Sequence, residues 1–435
     1  MSMTTRQRPR HGPTSAARLL HGLTGTACDP SLDQHVARWG APPDRDAGLL
    51  GELEASGLVG HGGASFPVAT KWRSVLAEGG RPVVIANGAE SEPASRKDAF
   101  LLTRAPHLVL DGLAAAAGAL RAHRAIVHVA TSSRDAVETA VGERRRMGLD
   151  HCDIEVVEAP DRYLAGQESA VVNGLNGQRP AVPSFVGLHS IRERGVAGRP
   201  TLVQNAETLA HVALIARFGS DWFRAVGTSD NPGTTLLTVG VPGGPFVVEA
   251  EFGTLLRQAA GFDQNGLVRV RGVLLGGYGG GWVSAAEFSE LGVSEKAARR
   301  LGATLGAGVV VPLDADVCPL AELADVVRYM DAEGAGQCGP CVHGLGALAD
   351  SLERLAYGGP GGPRAESILE TCNLIDGRGA CRHPDGVVRF VRSGLRVFAD
   401  EVASHQRRGT CTRTGAPRVL PLPKRLAKRR LVSRS

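Results

Sequence analysis

The stretch PVVIANGAE at residues 82–90 decides the fold, because an apolar run passes directly into a polar, glycine-containing loop. Such a run is typical of a buried strand. The Ala-rich segment 101–122 has strong helix propensity, and AIVHVATSS at 125–133 is a second short apolar strand. An amphipathic helix over 134–148 and a strand over 153–160 continue the alternation. Strand–helix alternation predicts an α/β domain with a parallel, Rossmann-like sheet, whose ligands lie beyond the carboxyl ends of the strands.

The length and the charge limit the organisation of the chain. At 435 residues it is too long for one typical core, and 43% hydrophobic with 21% charged residues is ordinary for a globular protein. The net charge of +5 comes from ten Lys and Arg between 405 and 435, without which the chain has a charge of −5. We expect this tail to be solvated; docking on an acidic partner or a phosphate surface is the alternative.

The sequence pattern changes twice after the α/β region. Short strands separated by glycines begin near 234 and predict a small β-rich module, whereas residues 320–402 have helical apolar spacing. The predicted units are a flexible segment 1–44, an α/β domain 45–233, a β module 234–318, a helical domain 319–403 and a basic tail 404–435.

Cysteine usage and hydropathy indicate a cytoplasmic protein. No secretory apolar region and no run of about 18 apolar residues is present, so neither export nor a membrane span is expected. Four of the eight cysteines lie between 338 and 381, which favours a metal or cluster site over a disulfide framework. The other four, Cys28, Cys152, Cys318 and Cys411, are predicted to be structural or incidental.

Four polar motifs follow one another along the α/β region. GHGGASFP at 60–67, with Lys71, places backbone amides and a cation where they can meet an anion. NGAESEP at 87–93 and YLAGQESA at 163–170 each follow a predicted strand, and PTLVQNAET at 200–208 opens a predicted helix. Each motif alone also fits an ordinary turn or a helix N-terminus.

Together, these four motifs resemble the NADH-binding flavoprotein (51 kDa-type, F-subunit) family of respiratory complex I, with relatives in soluble hydrogenases and formate dehydrogenases. The likeness covers roughly residues 45–400 and implies a β-grasp-like, soluble-ligand-binding (SLBB) module after the α/β domain. It implies FMN as cofactor and NAD(H) as substrate, with Glu92 and Glu168 facing the dinucleotide as catalytic residues and Phe66 stacking on it. The implied cofactor-binding residues are Gly62, Gly63, Phe66, Lys71, Asn87, Glu90, Tyr163, Gly166, Asn205 and Thr208.

Several positions depart from the family pattern and change the charge around the flavin. They are His61 for Arg, Ser65 for Gly, Ala89 for Asp, Ala94 for Gly and Gln167 for Glu.

The resemblance also implies a [4Fe–4S] cluster in the helical domain. Cys338 and Cys341 match two ligands and Cys381 matches the distant one, but Ala335 stands at the first ligand position. Cubane clusters are normally held by four thiolates, so a nearby residue is expected to fill the place. The candidates are Cys372 and His383. A tetrahedral zinc site from the same groups, or loss of the metal with the cysteines as apolar residues, are the alternatives.

The expected function is an oxidoreductase that passes electrons from NAD(P)H through FMN and the cluster to a partner. Because no ferredoxin-type cysteine run is present, the acceptor is expected to be a ferredoxin-like protein or a membrane redox partner, with the chain peripheral to a membrane complex. Nucleic acid is not an expected partner. Two alternatives are a non-catalytic scaffold that has lost NADH or cluster binding and a relative of Rnf-type electron-transport subunits.

Overall fold

The computed structural model describes residues 17–23, 28–43, 48–179, 181–184, 190–263, 265–358 and 361–423. The strands are β1 (Val83–Gly88), β2 (Arg124–Val129), β3 (Ile154–Glu158), β4 (Thr201–Asn205), β5 (Thr234–Val239), β6 (Phe246–Glu251), β7 (Val270–Leu275), β8 (Gly281–Ser284) and β9 (Val309–Asp314). The helices are α1 (Leu32–Trp39), α2 (Leu49–Ser56), α3 (Val68–Ala77), α4 (Lys97–Arg104), α5 (Pro106–Ala119), α6 (Thr131–Arg146), α7 (Glu168–Leu175), α8 (Ala206–Phe218), α9 (Ser220–Arg224), α10 (Leu256–Ala259), α11 (Ala285–Glu290), α12 (Glu295–Arg300), α13 (Pro319–Glu333), α14 (Leu345–Tyr357), α15 (Ala365–Ile375), α16 (His383–Val397) and α17 (Ala399–Arg408).

The first sheet is fully parallel, with strand order β3-β2-β1-β4, which confirms the predicted α/β class. Strand β4 is an addition, because the sequence analysis assigned 200–208 only to the start of a helix. In the register of β1 and β4, Asn87 pairs with Asn205. Two of the predicted ligand-binding residues are therefore neighbours at the carboxyl edge of this sheet.

The helix predicted over 101–122 is two helices, α4 and α5, that meet at Ala105. Pro106 begins α5 and disfavours helical dihedrals in the residue before it, and Ala105 lies at φ −142°, ψ 49°. Helix α5 then crosses α8 so closely that a Cβ on Gly112 would lie 1.9 Å from the carbonyl oxygen of Leu209. Glycine at this position permits the close packing of the two helices that cover the sheet.

The second sheet is mixed, with strand order β6-β5-β9-β7-β8, and only β5 and β9 pair in parallel. Its buried face carries its own apolar cluster, which includes Val239, Val273 and Phe288. A β-rich module therefore follows the α/β domain; its assignment as SLBB-like and the domain boundaries remain predictions.

Helices α13–α17 form the C-terminal region. Residues 404–423 pack onto it rather than being solvated as expected, with Leu420 only 2% exposed. Two of the four arginines in this segment pair with acids, Arg413 with Glu401 and Arg418 with Asp325. The part of the basic tail from 424 onward lies outside the described residues. Within the described ranges, no helix is long and apolar enough to cross a membrane.

The N-terminal segment also differs from the flexible stretch expected over 1–44. Helix α1 forms and buries Trp39, and Leu19 packs in the core of the α/β domain. Residues 1–16, 24–27 and 44 lie outside the described part of the chain. Apolar side chains in an otherwise Arg-rich stretch account for this packing.

Candidate functional site

The glycine loop at residues 60–66 lies beside the carboxyl end of β4. Gly60 donates its amide to the carbonyl of Phe66 (2.8 Å), and the amide of His61 donates to the Thr208 hydroxyl (2.9 Å). Gly62 is exposed, and its amide donates to no acceptor in the described part of the chain. The loop thus presents an unpaired backbone donor to solvent, as an anion-binding loop requires.

One non-glycine residue of the loop has a backbone conformation that favours glycine. Ser65 adopts φ +51°, in the left-handed region, whereas Gly63 lies at φ +97°. The left-handed conformation costs an L-residue roughly 1 kcal/mol. Serine in place of the family's glycine therefore carries backbone strain at position 65.

Lys71 lies on α3, which begins directly after Pro67. Its ammonium group donates to the Val203 carbonyl (2.6 Å) at the end of β4 and also pairs with the Glu168 carboxylate. The Glu168 side chain is 47% exposed, and that of Lys71 is 21% exposed. Both predicted residues are therefore together at the sheet edge, with the cation accessible beside an exposed acid.

The two asparagines at the sheet edge join this group. The Asn87 amide donates to the Gly166 carbonyl (2.8 Å), which brings the 163–166 loop against the end of β1. Asn205 caps α8 by accepting from the Thr208 amide (3.3 Å), and a Cβ on Gly62 would contact the Asn205 side chain at 3.4 Å. Motifs from four separate stretches of sequence thus meet at one place.

The substituted Gln167 also has a local structural role. Its side-chain oxygen accepts from the amide of Ala170 (2.8 Å) and caps α7. An amide oxygen performs this capping without the negative charge that the family pattern has there.

Glu90 makes local contacts at the start of α4, and its role as a cofactor ligand stays a prediction. Its carboxylate accepts from the Ser95 hydroxyl (2.7 Å) and from the amides of Asp98 (2.9 Å) and Ala99 (2.8 Å). These donors belong to the N-terminus of α4, where an acid is stabilising. The structure therefore assigns the Glu90 carboxylate to capping α4.

Glu92 is placed at the junction of the α/β domain and the β module. It is 8% exposed, and one carboxylate oxygen accepts from the Tyr278 amide (2.8 Å) and the Tyr163 hydroxyl (3.2 Å). A Cβ on Gly277 would lie 2.4 Å from the same oxygen. Burial raises the pKa of Glu92 to about 7. By contrast, the Phe66 ring is 51% exposed and free to stack on a ligand.

A buried ionic cluster beneath the glycine loop was missed in the sequence analysis. Lys97 pairs with Asp98 and Glu207, each at 2.9 Å, and His61 Nε2 lies 3.8 Å from Glu207. Burial lowers the pKa of His61, so the imidazole is neutral. Burial raises the pKa of Glu207, but Lys97 outweighs it and holds the value near 2. Lys97, at the start of α4, therefore supplies the positive charge below this loop. In the family pattern an Arg stands instead at the position of His61, within the loop itself.

A cavity of about 400 Å³ opens on the opposite side of the glycine loop, toward the β module. It is lined by Gly63 and Ser65 of the loop and by the cations Lys97, Lys296 and Arg299. Its volume lies in the range of small-molecule sites. Of the predicted cofactor ligands only Gly63 lines it, so the loop has two faces that a phosphate could use.

Three of the four predicted metal ligands are brought together near the end of α13. Burial raises the pKa of the Cys341 thiol to about 11, and the neighbouring thiols of Cys338 and Cys381 act in the same direction. The Ala380 amide donates to the Cys338 sulfur (3.5 Å). Within the described ranges these three sulfurs do not fall within 4.8 Å of one another, so their spacing favours a cluster over a single zinc ion.

The fourth ligand position has no thiol beside it. Ala335 is only 7% exposed. Cys372 is fully buried on α15 and packs in the apolar cluster of the helical domain. Its role as a ligand stays a prediction.

His383, the other candidate, is buried beside the three cysteines at the start of α16. Its Nε2 lies 2.9 Å from the Met330 carbonyl, and Nδ1 has no hydrogen-bond partner among the described residues. Burial raises the pKa of the Cys381 thiol, and the backbone of His383 acts in the opposite direction. The ring also packs against Tyr163, with centroids 5.5 Å apart.

The 163–166 loop directly contacts the segment 334–341, which follows α13, carries Cys338 and Cys341 and is called the cysteine loop here. Leu164 and Ala165 pack with Ala335 in one buried apolar cluster. The amide of Tyr163 donates to the Glu333 carboxylate (2.8 Å) at the end of α13. The two sites that the sequence predicted separately are therefore adjacent.

Comparison with known proteins agrees with this geometry. Residues 53–214 match the model of the Nuo51 FMN-binding domain, and residues 321–405 match that of the NADH-ubiquinone oxidoreductase-F iron–sulfur binding region. The first range contains the glycine loop and the sheet edge, and the second contains all three clustered cysteines.

Full-length relatives are similar over most of the chain. The NADH-quinone oxidoreductase F subunit of Mycobacterium bovis is 30% identical over 85% of this chain and 86% of its own length. The first of two NADH-quinone oxidoreductase F subunits of Rhizobium meliloti is 28% identical over 81% of this chain and 85% of its own length. A chain of an air-oxidised NAD⁺-reducing [NiFe]-hydrogenase superposes with a TM-score of 0.77 at 27% identity, covering 92% of this chain and 67% of its own.

Proposed function

Because the chain belongs to the family of NADH-quinone oxidoreductase F subunits, we propose that it oxidises NAD(P)H at FMN and passes single electrons through an iron–sulfur cluster to a partner. The contact of Leu164 and Ala165 with Ala335 carries this proposal, since it brings the flavin-side loop against the cysteine loop. FMN, when bound, accepts a hydride and releases electrons one at a time.

The sheet-edge residues fit a phosphorylated flavin. The Gly62 amide and the Lys71 ammonium group would hold the phosphate, because one is an unpaired donor and the other a cation. Asn87 and Asn205, paired in register, would orient the polar parts of the ligand. The exposed Glu168 positions Lys71 through their ion pair, and exposed Phe66 would stack on the dinucleotide.

Glu92 contributes to the proposed site by connecting the α/β domain to the β module through hydrogen bonds. It accepts hydrogen bonds from Tyr163 of the α/β domain and from Tyr278 of the β module. With its pKa near 7, the carboxyl group can hold or release a proton at neutral pH. This group thereby fixes Tyr163 between the flavin side and His383 of the cluster side.

Cys338, Cys341 and Cys381 are the proposed cluster ligands, and one iron is left without a cysteine. Ala335 occupies the place of the fourth thiolate; the proposed candidates for that place are Cys372 and His383, whose Nδ1 has no hydrogen-bond partner among the described residues. Electrons leaving the cluster would pass to a partner protein, either a ferredoxin-like protein or a redox partner in a membrane complex.

A second candidate function is a scaffold that has lost the cluster, which the alanine at position 335 favours. Anaerobic purification with FMN supplementation, followed by flavin and iron assays and a visible spectrum, separates the two. Bound flavin, cluster absorption and bleaching of both by NADH support the oxidoreductase. A colourless, iron-free protein that does not oxidise NADH supports the scaffold.

A further inference from the structure

A second group of metal-ligand side chains lies away from the three clustered cysteines. Cys318, Glu401, His405 and Cys411 each offer one ligand atom, and all four atoms lie within 4.8 Å of one another. His405 Nε2 is 3.7 Å from the Cys318 sulfur and 3.3 Å from a Glu401 oxygen. None of these residues takes part in the proposed flavin or iron–sulfur sites.

Three parts of the fold bring these residues together. Cys318 immediately precedes α13, at the end of the β module. Glu401 and His405 are one turn apart on α17, so their side chains share a face of that helix. Cys411 follows α17, in the segment that was expected to be a solvated tail. An interaction shared by these side chains would connect that segment to the start of α13.

The imidazole of His405 has an orientation suited to a metal ligand. Its Nδ1 lies 3.2 Å from the Leu355 carbonyl, which can only accept a hydrogen bond. Nδ1 therefore carries the proton in the neutral ring, and the lone pair of Nε2 is directed at Cys318 and Glu401. Metal-bound histidines characteristically donate their other ring nitrogen in this way.

Burial and charge also fit a divalent cation. Cys318 is 0%, His405 1% and Glu401 4% exposed. Arg271 (2.9 Å) and Arg413 (2.6 Å) pair with Glu401 from outside the group. Two thiolates and a carboxylate carry three negative charges, against four positive charges on a dication and these two guanidinium groups, so no buried thiolate is left without a countercharge. Thiolates buried without a cation would be costly.

We propose that Cys318, Cys411, His405 and Glu401 form a structural zinc site, separate from the iron–sulfur site. Two sulfurs, one imidazole and one carboxylate match the tetrahedral preference of Zn²⁺, and hard cations such as Mg²⁺ or Ca²⁺ disfavour sulfur ligands. Binding one Zn²⁺ releases the two thiol protons to solvent, and no electron is transferred. Because four protein ligands close the site, its role is to hold residues 404–423 on the helical domain.

Metal analysis of the full-length holoprotein, purified anaerobically from zinc- and iron-supplemented cells, tests this site. We expect about one zinc per chain, in addition to iron. Zinc-edge X-ray absorption is element-specific and is not obscured by the cluster. It should show two sulfur scatterers at about 2.3 Å and two nitrogen or oxygen scatterers at about 2.0–2.1 Å.

Matched variants separate the two metal sites. Cys411→Ser should lose zinc and keep its iron, whereas Cys338→Ser should lose iron and keep its zinc. Cys152→Ser, which alters a cysteine outside both groups, should change neither. Since the absorption measurement uses the unmodified protein, the test holds even where a variant fails to fold.

Three results would overturn the proposal. They are wild-type protein without zinc, zinc retained at full occupancy in folded Cys411→Ser, and a Cys318–Cys411 disulfide in the anaerobic protein detected by mass spectrometry.

Discussion

The backbone amide of Tyr163 donates to the carboxylate of Glu333 over 2.8 Å, and this bond joins the loop before Gly166 to the helix that ends just before the cysteine loop. The same carboxylate pairs with Arg162 at 3.0 Å. Since Glu333 is 4% exposed, the bond is shielded from water. It couples the position of the proposed flavin site to that of the proposed cluster.

Glu333→Ala should weaken this coupling. The variant leaves the Tyr163 amide without its buried acceptor, which costs roughly 1–3 kcal/mol of unfolding free energy. In stopped-flow absorption, flavin reduction by NADH should keep its rate while cluster reduction slows. Glu353→Ala, on an ion pair that is partly exposed, is the matched control. An unchanged rate of cluster reduction in folded Glu333→Ala would show that this hydrogen bond does not determine how close the two sites lie.

Lys71→Ala should reduce flavin retention. Loss of one charge-assisted bond to a phosphate, worth about 1.5 kcal/mol, corresponds to roughly a tenfold higher Kd for FMN. Lys296→Ala changes a cation in the cavity on the other face of the glycine loop and should leave the Kd unaltered. Fluorescence titration of the flavin-stripped protein measures both. A higher Kd for Lys296→Ala together with an unchanged Kd for Lys71→Ala would instead show that the phosphate binds in the cavity beside the β module.

Ala335→Cys should supply the missing thiolate of the cluster. Four cysteine ligands retain iron better than three, so the air-exposed variant should lose iron more slowly than wild type. Electron paramagnetic resonance and iron assays check this result. Cys372→Ser should leave the iron content unchanged, because Cys372 is fully buried among apolar side chains of the helical domain. Loss of iron in Cys372→Ser, with the fold intact, would restore Cys372 as a ligand.

Glu92 should make stability depend on pH. Burial raises the pKa of its carboxyl group from 4.5 to about 7, so the folded state binds the proton more tightly than the unfolded state. The resulting stabilisation is full below pH 4.5 and is lost as the pH rises through 7. Glu92→Gln should therefore gain roughly 2–3 kcal/mol relative to wild type between pH 4.5 and 8. Urea unfolding at several pH values measures this difference, and a constant difference would contradict the assignment.

The parallel sheet could be predicted because its strands are long apolar runs separated by helical patterns. The strand over Val83–Gly88 shows this clearly, as does the polar loop that follows it. Strand β4 was missed because its five residues lead directly into α8. Pro106 is a local signal for a helix break, but the segment was predicted as one helix because its Ala-rich composition favours helix throughout.

Contacts between distant segments could not be predicted in the same way. Glu90 itself has a left-handed backbone conformation, and the chain turns there so that its carboxylate caps α4. The motif alone does not specify this turn. Likewise, Cys318 and His405 come together only when the tail packs on the helical domain. The family resemblance identified Ala335 as the missing ligand position, but only the fold shows that Cys372 is buried among apolar side chains.

The most direct test of the central claim is anaerobic, single-turnover reduction of FMN-loaded protein by NADH, followed by absorption and by freeze-quench paramagnetic resonance. The account predicts that flavin is reduced first and that a cluster signal then develops in the same molecule without an added mediator. Flavin that is reduced while the iron centre stays oxidised, or that is not reduced by NADH at all, would contradict it.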